Sequence, residues 1–182
     1  MNFEPLDIQG AFKISPNMIG DNRGAFARVF CADAFAAQGL QTNWVQMNTS
    51  ISVNKGTVRG LHFQRAPHCE VKLVRCVSGK IMDFILDIRA GSPTFGVVCG
   101  VPLDARKMEM LHVPTGCAHG FQTLTENVEL HYSHSEFYTP SHEEGVCILD
   151  PDLNLELPLA VSEMSERDKT HPTLKDTRPI QL

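Results

Sequence analysis

The stretch "VRGLHFQ", residues 58–64, has the composition of a β-strand but contains two residues that do not suit an ordinary core. Leu61 and Phe63 favour a sheet. In a regular strand, Arg59 would lie on the face of Leu61 and Phe63, and His62 would lie on the opposite face. A lone histidine on a strand is usually a structural or surface residue, so its role has to be judged from the rest of the chain.

Short apolar stretches separated by turn residues continue on both sides of this segment and predict an all-β protein. The candidate strands are "FKISP", "WVQMNTSISV", "VRGLHFQ", "EVKLVRCVSG", "KIMDFILDI", "GVVCGVPL", "EMLHVP", "HGFQTL", "VELHYSHSEF" and "GVCIL". Many strands at this spacing predict a sandwich or barrel. With no repeat or linker, residues 1–182 are expected to form a single domain.

Few helices are predicted. One lies near "ADAFAAQG", with Asp33 as its N-cap and Gly39 at its end, and a short one begins at Ser165. The proline-rich chain after Asp150 is expected to wrap the core or a partner subunit.

The composition excludes several classes of protein. Hydrophobic residues make up 42% and charged residues 20% of the chain, as in ordinary globular proteins, and the net charge of −5 argues against a general nucleic-acid binder. No apolar run approaches a membrane span, and the N-terminus has no apolar signal region. The six cysteines form no C-x-x-C pair, and we expect them to be reduced. A cytoplasmic protein is therefore expected.

Polar residues recur on the apolar faces of the predicted strands. Lys72 shares a face with Val74, Tyr132 shares a face with Leu130, and His119 follows the turn in "PTGCAHGF". Each residue alone has an ordinary structural explanation, such as a lysine that reaches water or a tyrosine in the core. Together they indicate a ligand pocket inside a barrel, with apolar walls and a few polar groups.

A metal site is the first alternative for such a pocket. "PTGCAH" is similar to the second cupin motif, but the first motif aligns with Lys72 in place of its glutamate, and with Ala66 and His68 in place of its histidines. An ammonium group and a missing ligand do not suit a divalent metal. The pocket is therefore expected to hold no metal and to bind an anion or a developing oxyanion instead.

The stretches "RGLHFQ", "KLVRCVSGKIMDFILDIRAGSPTFG", "VPTGCAHGF", "EFYTP" and "SERD" resemble the dTDP-4-dehydrorhamnose 3,5-epimerase family. The resemblance runs from "DNRGAF" to "SERD", which is nearly the whole chain. It implies a metal-free, cofactor-independent cupin jelly-roll barrel and a homodimer with exchanged N-terminal strands. It also implies a nucleotide-linked 4-keto-6-deoxysugar as substrate, in deoxysugar or surface-polysaccharide biosynthesis.

The same resemblance implies roles for individual residues. His62 would be the general base, Tyr132 the general acid, Asp168 the partner of His62, and Lys72 the contact of the C4 oxygen. The positions that would bind substrate are Arg23, Arg28, Gln46, Asn48, Arg59, His119, Tyr138, Glu143 and Arg167.

These roles agree with the chemistry of proton removal next to a ketone. The reaction needs a base near neutral pH, positive charge beside the enolate oxygen, and a proton donor on the opposite face of the sugar. The alternative role for Asp168 is structural: its side chain would form a capping box with Ser165 at the start of the second helix.

Two positions depart from the family pattern. The family usually has a glutamate where this chain has Arg28, and an aspartate where this chain has Met47. An arginine only donates hydrogen bonds, so Arg28 would suit the acceptors of cytosine better than thymine N3–H. The nucleobase, the sugar and the number of inverted centres stay open. The rival functions are an isomerase that moves the ketone within the sugar and a non-catalytic sugar-nucleotide binding module, with a metal-dependent cupin dioxygenase as a third.

Overall fold

Thirteen β-strands and two short helices make up the computed structural model, which describes residues 1–182. The strands are β1 (Asn2–Pro5), β2 (Phe12–Ser15), β3 (Met18–Asp21), β4 (Gly24–Ala27), β5 (Gln46–Ser52), β6 (Val58–Gln64), β7 (Lys72–Ser78), β8 (Lys80–Asp87), β9 (Val98–Asp104), β10 (Met110–Val113), β11 (Cys117–Thr123), β12 (Val128–His134) and β13 (Glu143–Gly145). The helices are α1 (Ala32–Ala36) and α2 (Glu166–Lys169), with 3₁₀ turns at Ala105–Lys107, Pro140–His142 and Pro151–Leu153. No helix is long and apolar enough to cross a membrane.

The strands form two large antiparallel sheets that pack face to face. One sheet has the order β1-β2-β10-β7-β12-β5 and the other has the order β13-β6-β11-β8-β9, while β3 and β4 form a separate hairpin. Neighbours in these sheets are distant in sequence, as in β7 beside β12 and β6 beside β11. The all-β expectation is confirmed.

The main core lies between the two large sheets. Val74 and Leu130 come from the six-stranded sheet, and they pack with Ile85 and Phe121 from the five-stranded sheet. Tyr132 is packed against the edge of this cluster. The predicted strand faces are confirmed for β7 and β12, because their alternate apolar residues point into this core.

The outer faces of both sheets are also covered. The chain after Asp150 packs Leu153 and Ile180 onto the five-stranded sheet, and Phe35 of α1 packs onto Ile14 and Met110 of the six-stranded sheet. The C-terminal segment therefore wraps the core, as expected.

The structure corrects the start of the first helix. Its N-cap is Cys31, which makes no side-chain cap, and Asp33 lies inside the first turn instead of capping it. A carboxylate in the first turn still interacts favourably with the helix dipole. The second helix does begin after Ser165, whose Oγ accepts from the Asp168 N–H at 3.0 Å.

The strand expected at "GVCIL" is also wrong for most of its length. Only its first residue belongs to β13, although Val146 and Leu61 still exchange two backbone hydrogen bonds. The Cys147 N–H then donates to Pro172 O, so the C-terminal segment takes over the pairing. The sequence pattern also misses β1, β3 and β4, which are four residues each.

The motif "DIRAGSPTFG" forms a polar loop whose centre is a buried aspartate. Asp87 is fully buried and accepts from Arg89 Nε at 2.9 Å, Ser92 Oγ at 2.6 Å and Thr94 Oγ1 at 2.6 Å. Burial opposes its ionisation, but these donors hold the pKa of Asp87 well below its usual range. This loop is therefore a structural element.

The β3–β4 hairpin and the edge strand β5 expose large apolar side chains. Ile19 and Phe26 of the hairpin are 71% and 68% exposed, and Met47 and Ile51 of β5 are 73% and 64% exposed. Single exposed apolar residues are ordinary, but a group beside an open sheet edge is typical of a surface that another strand covers.

Candidate active site

A cavity of about 1420 Å³ opens between the two large sheets, at the end of the barrel next to the main core. Its wall contains residues from β5, β7 and β12 of one sheet and from β6 and β11 of the other. The structure brings eleven of the thirteen sequence-predicted site residues to this cavity. They are Gln46, Asn48, Arg59, His62, Lys72, His119, Tyr132, Tyr138, Glu143, Arg167 and Asp168.

A bulge in β6 brings Arg59 and His62 to the same cavity, which corrects the expectation of opposite faces. His62 pairs with His119 of β11, and Arg59 pairs with Phe121. The three-residue separation along β6 is therefore matched by a two-residue separation along β11. The extra residue changes which side Arg59 faces. Gly60 lies in the bulge with φ +112°, where a Cβ would collide with the Gly120 backbone. Arg59 Nε donates to Ser52 Oγ at 3.2 Å.

His62 and Asp168 form a hydrogen-bonded pair at the cavity wall. His62 Nε2 lies 2.8 Å from Asp168 Oδ1, and Asp168 Oδ2 accepts from the Gly60 N–H at 3.1 Å. Burial alone would raise the pKa of Asp168, but His62 and the Gly60 N–H hold that pKa below its usual value. Because the Asp168 carboxylate bonds to His62 and Gly60, a capping-box role for its side chain finds no support. The partner fixes Nε2 as the protonated nitrogen of neutral His62 and leaves the lone pair on Nδ1.

Tyr132 stands on the opposite sheet from His62. Its ring lies edge-on to the ring of His119, with centroids 6.1 Å apart, and it stacks on His134 at 6.0 Å. Burial raises the pKa of the Tyr132 phenol well above its usual value, and the nearby Asp83 carboxylate adds to this effect. The hydroxyl is therefore protonated throughout the neutral pH range and can donate a proton or a hydrogen bond.

Lys72 belongs to a buried ionic chain that the sequence pattern did not reveal. Its Nζ lies 3.3 Å from Glu70 Oε1 and 3.4 Å from His62 O, while Glu70 Oε2 lies 2.6 Å from His134 Nδ1. Burial opposes ionisation of Glu70, but the Lys72 ammonium and His134 hold its pKa below the usual value. Glu70 and His134 both line the cavity. Their spacing of two residues from Lys72 and Tyr132 was the signal that could have identified them.

A second buried histidine–aspartate pair lies on the sheet that faces Tyr132. His119 Nε2 is 2.6 Å from Asp83 Oδ1, and the other oxygen of Asp83 is buried without a hydrogen bond. Complete burial raises the pKa of Asp83. Asp83 interrupts the apolar strand "KIMDFILD", and an acid in the middle of a central strand is itself a signal of a buried partner.

The mouth of the cavity carries a polar network. Glu143 Oε2 accepts from Tyr138 Oη at 2.7 Å and from Arg167 Nη2 at 2.6 Å. Gln46 accepts from the Tyr138 N–H at 3.1 Å through Oε1 and donates to Asn48 Oδ1 at 3.3 Å through Nε2. The half-exposed ring of Tyr138 is thereby held at the entrance.

Arg23 and Arg28 do not reach this cavity within the same chain. Arg23 lies in the β3–β4 turn, where it pairs with Asp21 at 2.6 Å and its side chain is 85% exposed. Arg28 is exposed just after β4. Their expected contact with a ligand therefore finds no support in the isolated chain.

One group of side chains has donor atoms close enough to bind a metal ion. The donor atoms of His62, Asp168 and His171 lie within 4.8 Å of one another. A cation there would replace the short His62–Asp168 hydrogen bond. Two residues stand at metal-ligand positions of the cupin motifs. Lys72 is ion-paired with Glu70. His68 lies outside the cavity, and its ring packs on that of His142 with centroids 4.6 Å apart.

The cavity thus combines a histidine paired with a carboxylate, a neutral phenol and cations at its wall. His62 and Tyr132 face it from different sheets, and Lys72 and Arg59 supply positive charge. This arrangement can remove a proton from one face of a bound molecule and return one to the other face. The cations suit a phosphorylated ligand and a developing oxyanion.

Comparison with known proteins identifies an epimerase family, and the chemistry of an epimerase agrees with this arrangement. The family described as dTDP-4-dehydrorhamnose 3,5-epimerase matches residues 5–176. A dTDP-4-dehydrorhamnose 3,5-epimerase of Mycobacterium tuberculosis strain H37Rv is 38% identical over 186 residues, which covers 100% of this chain and 92% of the relative.

Two solved structures have nearly the same fold. NovW, a 4-keto-6-deoxy sugar epimerase from the novobiocin cluster of Streptomyces spheroides, superposes with a TM-score of 0.92 at 37% identity, covering 97% of this chain and 88% of NovW. ChmJ, a 3'-monoepimerase from Streptomyces bikiniensis in complex with dTDP-quinovose, has a TM-score of 0.88 at 35% identity, covering 94% of this chain and 87% of ChmJ.

The fold and the cavity define a cupin-type isomerase of the epimerase class, and the cupin-type jelly roll expected from the sequence is confirmed. The chain belongs to the dTDP-4-dehydrorhamnose 3,5-epimerase family. Its relatives and structural neighbours are dTDP-sugar 3,5-epimerases and 3-epimerases of deoxysugar biosynthesis.

Proposed function

We propose that this protein inverts C3, C5 or both centres of a nucleotide-linked 4-keto-6-deoxyhexose, through an enolate, in deoxysugar or surface-polysaccharide biosynthesis. One observation carries the proposal: His62 on β6 and Tyr132 on β12 face one cavity from opposite sheets, with Lys72 beside them. Inversion needs a base and an acid on opposite faces of the sugar, and this is the placement that two facing sheets provide.

His62 is the general base in this proposal. Its Nδ1 lone pair faces away from Asp168, because Nε2 makes the 2.8 Å bond to Oδ1. The Asp168 carboxylate orients the ring and stabilises the imidazolium that forms when the proton is taken. A positioned base of this kind typically contributes about 10²–10⁴-fold to the rate.

Lys72 and Tyr132 complete the reaction. The enolate oxygen at C4 develops negative charge, and the Lys72 ammonium offsets it in a wall from which most water is excluded. The neutral Tyr132 phenol then delivers a proton to the opposite face. Arg59 and His119 contact the sugar or its phosphates from the five-stranded sheet.

The nucleotide lies at the mouth of the cavity in this proposal. Tyr138 stacks on the base, Arg167 contacts a phosphate, and Gln46, Asn48 and Glu143 provide hydrogen bonds. Thymine is the first candidate base, because ChmJ was solved with dTDP-quinovose and the M. tuberculosis relative is a dTDP-sugar enzyme.

A homodimer accounts for the two arginines outside the cavity. The exposed apolar hairpin β3–β4 of one copy would pair with the open edge β5 of the other, covering Phe26 and Met47. Arg23 in the hairpin turn and Arg28 just after the hairpin would then reach the cavity of the second copy. Residues 1–182 act as one cytoplasmic domain that needs no metal or cofactor and binds neither nucleic acid nor membrane.

The test is incubation with dTDP-, CDP-, UDP- and GDP-linked 4-keto-6-deoxyglucose in D2O, followed by NMR. We expect deuterium to enter at C3, C5 or both, and the product to be the corresponding epimer. Exchange at one carbon only would assign a monoepimerase activity like that named for ChmJ. No exchange with any of the four nucleotides would refute the proposal.

The same experiment separates the rival functions. A ketone-shifting isomerase would give a product with the carbonyl at a new carbon, which NMR identifies directly. A binding module would give a complex without deuterium exchange. The presence of His62, Lys72, Tyr132 and Asp168 around one cavity speaks against the binding module.

A further inference from the structure

A third imidazole lies directly behind the His62–Asp168 pair. His171, the second residue after α2, places its Nε2 at 3.6 Å from Asp168 Oδ1, the oxygen that bonds His62 at 2.8 Å. The rings of His171 and His62 stand edge to face, with centroids 5.5 Å apart. His171 does not line the cavity, so it can act on a ligand only through its neighbours.

The surrounding chain holds His171 in this place. Gly145 of β13 has no side chain, and a Cβ there would lie 2.5 Å from the His171 ring. The next residue, Pro172, accepts the Cys147 N–H at 2.9 Å and ties the segment to the end of β13. The His171 side chain is only 10% exposed, so its position is determined by packing.

His171 Nε2 is buried and has no hydrogen-bond partner. An unpaired buried polar atom is unfavourable and calls for an explanation. Asp168 Oδ1 is the one acidic oxygen within ion-pair distance of this nitrogen. One carboxylate oxygen thus faces the ring nitrogens of two histidines.

The surroundings of His171, burial above all, favour its neutral form. Burial lowers its pKa, and the neighbouring His62 and Arg167 lower it further, while the carboxylates of Asp168 and Glu143 act in the opposite direction. A neutral imidazole with its proton on Nε2 directs that N–H toward Asp168. It therefore draws on the same negative charge that stabilises a protonated His62.

We propose that His171 is a positioning residue that shares Asp168 Oδ1 with His62 and thereby limits how strongly Asp168 stabilises the His62 imidazolium. Without the His171 imidazole, the whole of that carboxylate charge would be available to His62. The effect on catalysis rests on the proposed function. The sharing of Asp168 Oδ1 between the two histidines does not depend on it.

The primary test is an NMR titration of the histidine rings in the wild type and in three variants. His171→Leu removes the second donor, His171→Gln keeps an N–H donor, and His131→Leu is the matched control at an exposed strand position outside the cavity. We expect the His62 midpoint to rise by about 0.5–1 pH unit in His171→Leu. It should stay near the wild-type value in His171→Gln and His131→Leu.

The kinetic test measures the acid limb of kcat/KM with the ketosugar, because that limb reports the base of the free enzyme. We expect the limb to move to higher pH in His171→Leu, so that the loss of kcat/KM is larger near pH 5.5 than near pH 8.

An unchanged His62 midpoint in the folded Leu variant, or an equal rise in the Gln variant, would overturn the inference. If the Leu variant does not fold, His171→Ala, which adds no bulk beside Gly145, is measured and interpreted in the same way. If no ketosugar exchanges deuterium, the proposed function fails while the NMR titration still decides the role of His171.

Discussion

Replacing Tyr132 by phenylalanine removes one hydroxyl and leaves the ring in its place. The ring keeps its contacts with His119 and His134, whose centroids lie 6.1 Å and 6.0 Å away, so the fold should be preserved. His62 and Lys72 are untouched, and the first half of the reaction can still occur. The variant therefore separates proton removal from inversion.

The expected magnitudes differ between the two half-reactions. A positioned acid contributes about 10²–10⁴-fold, which corresponds to about 3–5 kcal/mol of transition-state stabilisation, and inversion should slow by this amount. Deuterium exchange at the same carbon should slow less than about tenfold, because the enolate can take deuterium back from the His62 side. The pKa of Tyr132 is raised by burial, so the wild-type phenol remains a donor throughout the neutral range.

Both rates come from one NMR time course in D2O, as loss of the proton signal and as appearance of the epimer. The matched control is Tyr138→Phe, which removes the other tyrosine hydroxyl of the chain and its bond to Glu143 at the cavity mouth. That variant should weaken binding without changing the ratio of inversion to exchange. Equal loss of exchange and inversion in Tyr132→Phe would refute the reasoning and would assign Tyr132 to the fold or to the enolate oxygen.

Four further predictions follow from the same structure. His62→Ala should abolish exchange at every centre, with a loss of about 10²–10⁴-fold, and unchanged exchange in a folded variant would remove His62 from the mechanism. Exhaustive chelation should leave turnover intact, because Lys72 lies at a metal-ligand position of the cupin motif; loss of activity that a stoichiometric metal restores would contradict this. Asp87→Asn should destabilise the fold by about 3–5 kcal/mol at pH 7, because Arg89 loses its buried partner. Since the folded pKa of Asp87 is depressed, its stabilisation is present above the unfolded value near 4 and is lost as pH falls through the folded value, so urea unfolding should show a smaller difference at pH 3 than at pH 7. Phe26→Asp should convert a dimer into a monomer of 20.2 kDa in light scattering and reduce activity, and a monomeric wild type would reject the exchanged hairpin.

Much of the fold could be read from local pattern. Alternating apolar residues place Lys72 beside Val74 and Tyr132 beside Leu130, and the structure puts both polar side chains in the cavity wall. A strand has a side-chain period of two, so the sequence determines which residues share a face without any knowledge of the partner strand. Ser165 likewise caps α2 through a contact three residues away, which a local pattern can encode.

Short strands without a regular pattern escaped this reading. The hairpin β3–β4 has four residues in each strand and is almost entirely exposed, so it shows no alternation of buried and exposed positions. "GVCIL" has the opposite character, since Val146 and Ile148 are buried although most of the segment is not a strand. Burial alone therefore did not identify its backbone conformation.

What the sequence by itself determined is the all-β class, the faces of the long strands and, through the family motifs, eleven of the residues around the cavity. Only the tertiary structure decided how these faces meet. The bulge at Gly60 that turns Arg59 toward the cavity depends on the register with β11, and the Asp83–His119 pair joins residues on two adjacent strands. His171 meets Asp168 Oδ1 because Gly145 leaves room for its ring. These contacts depend on strand register and on packing between distant segments, and a local period carries no information about either.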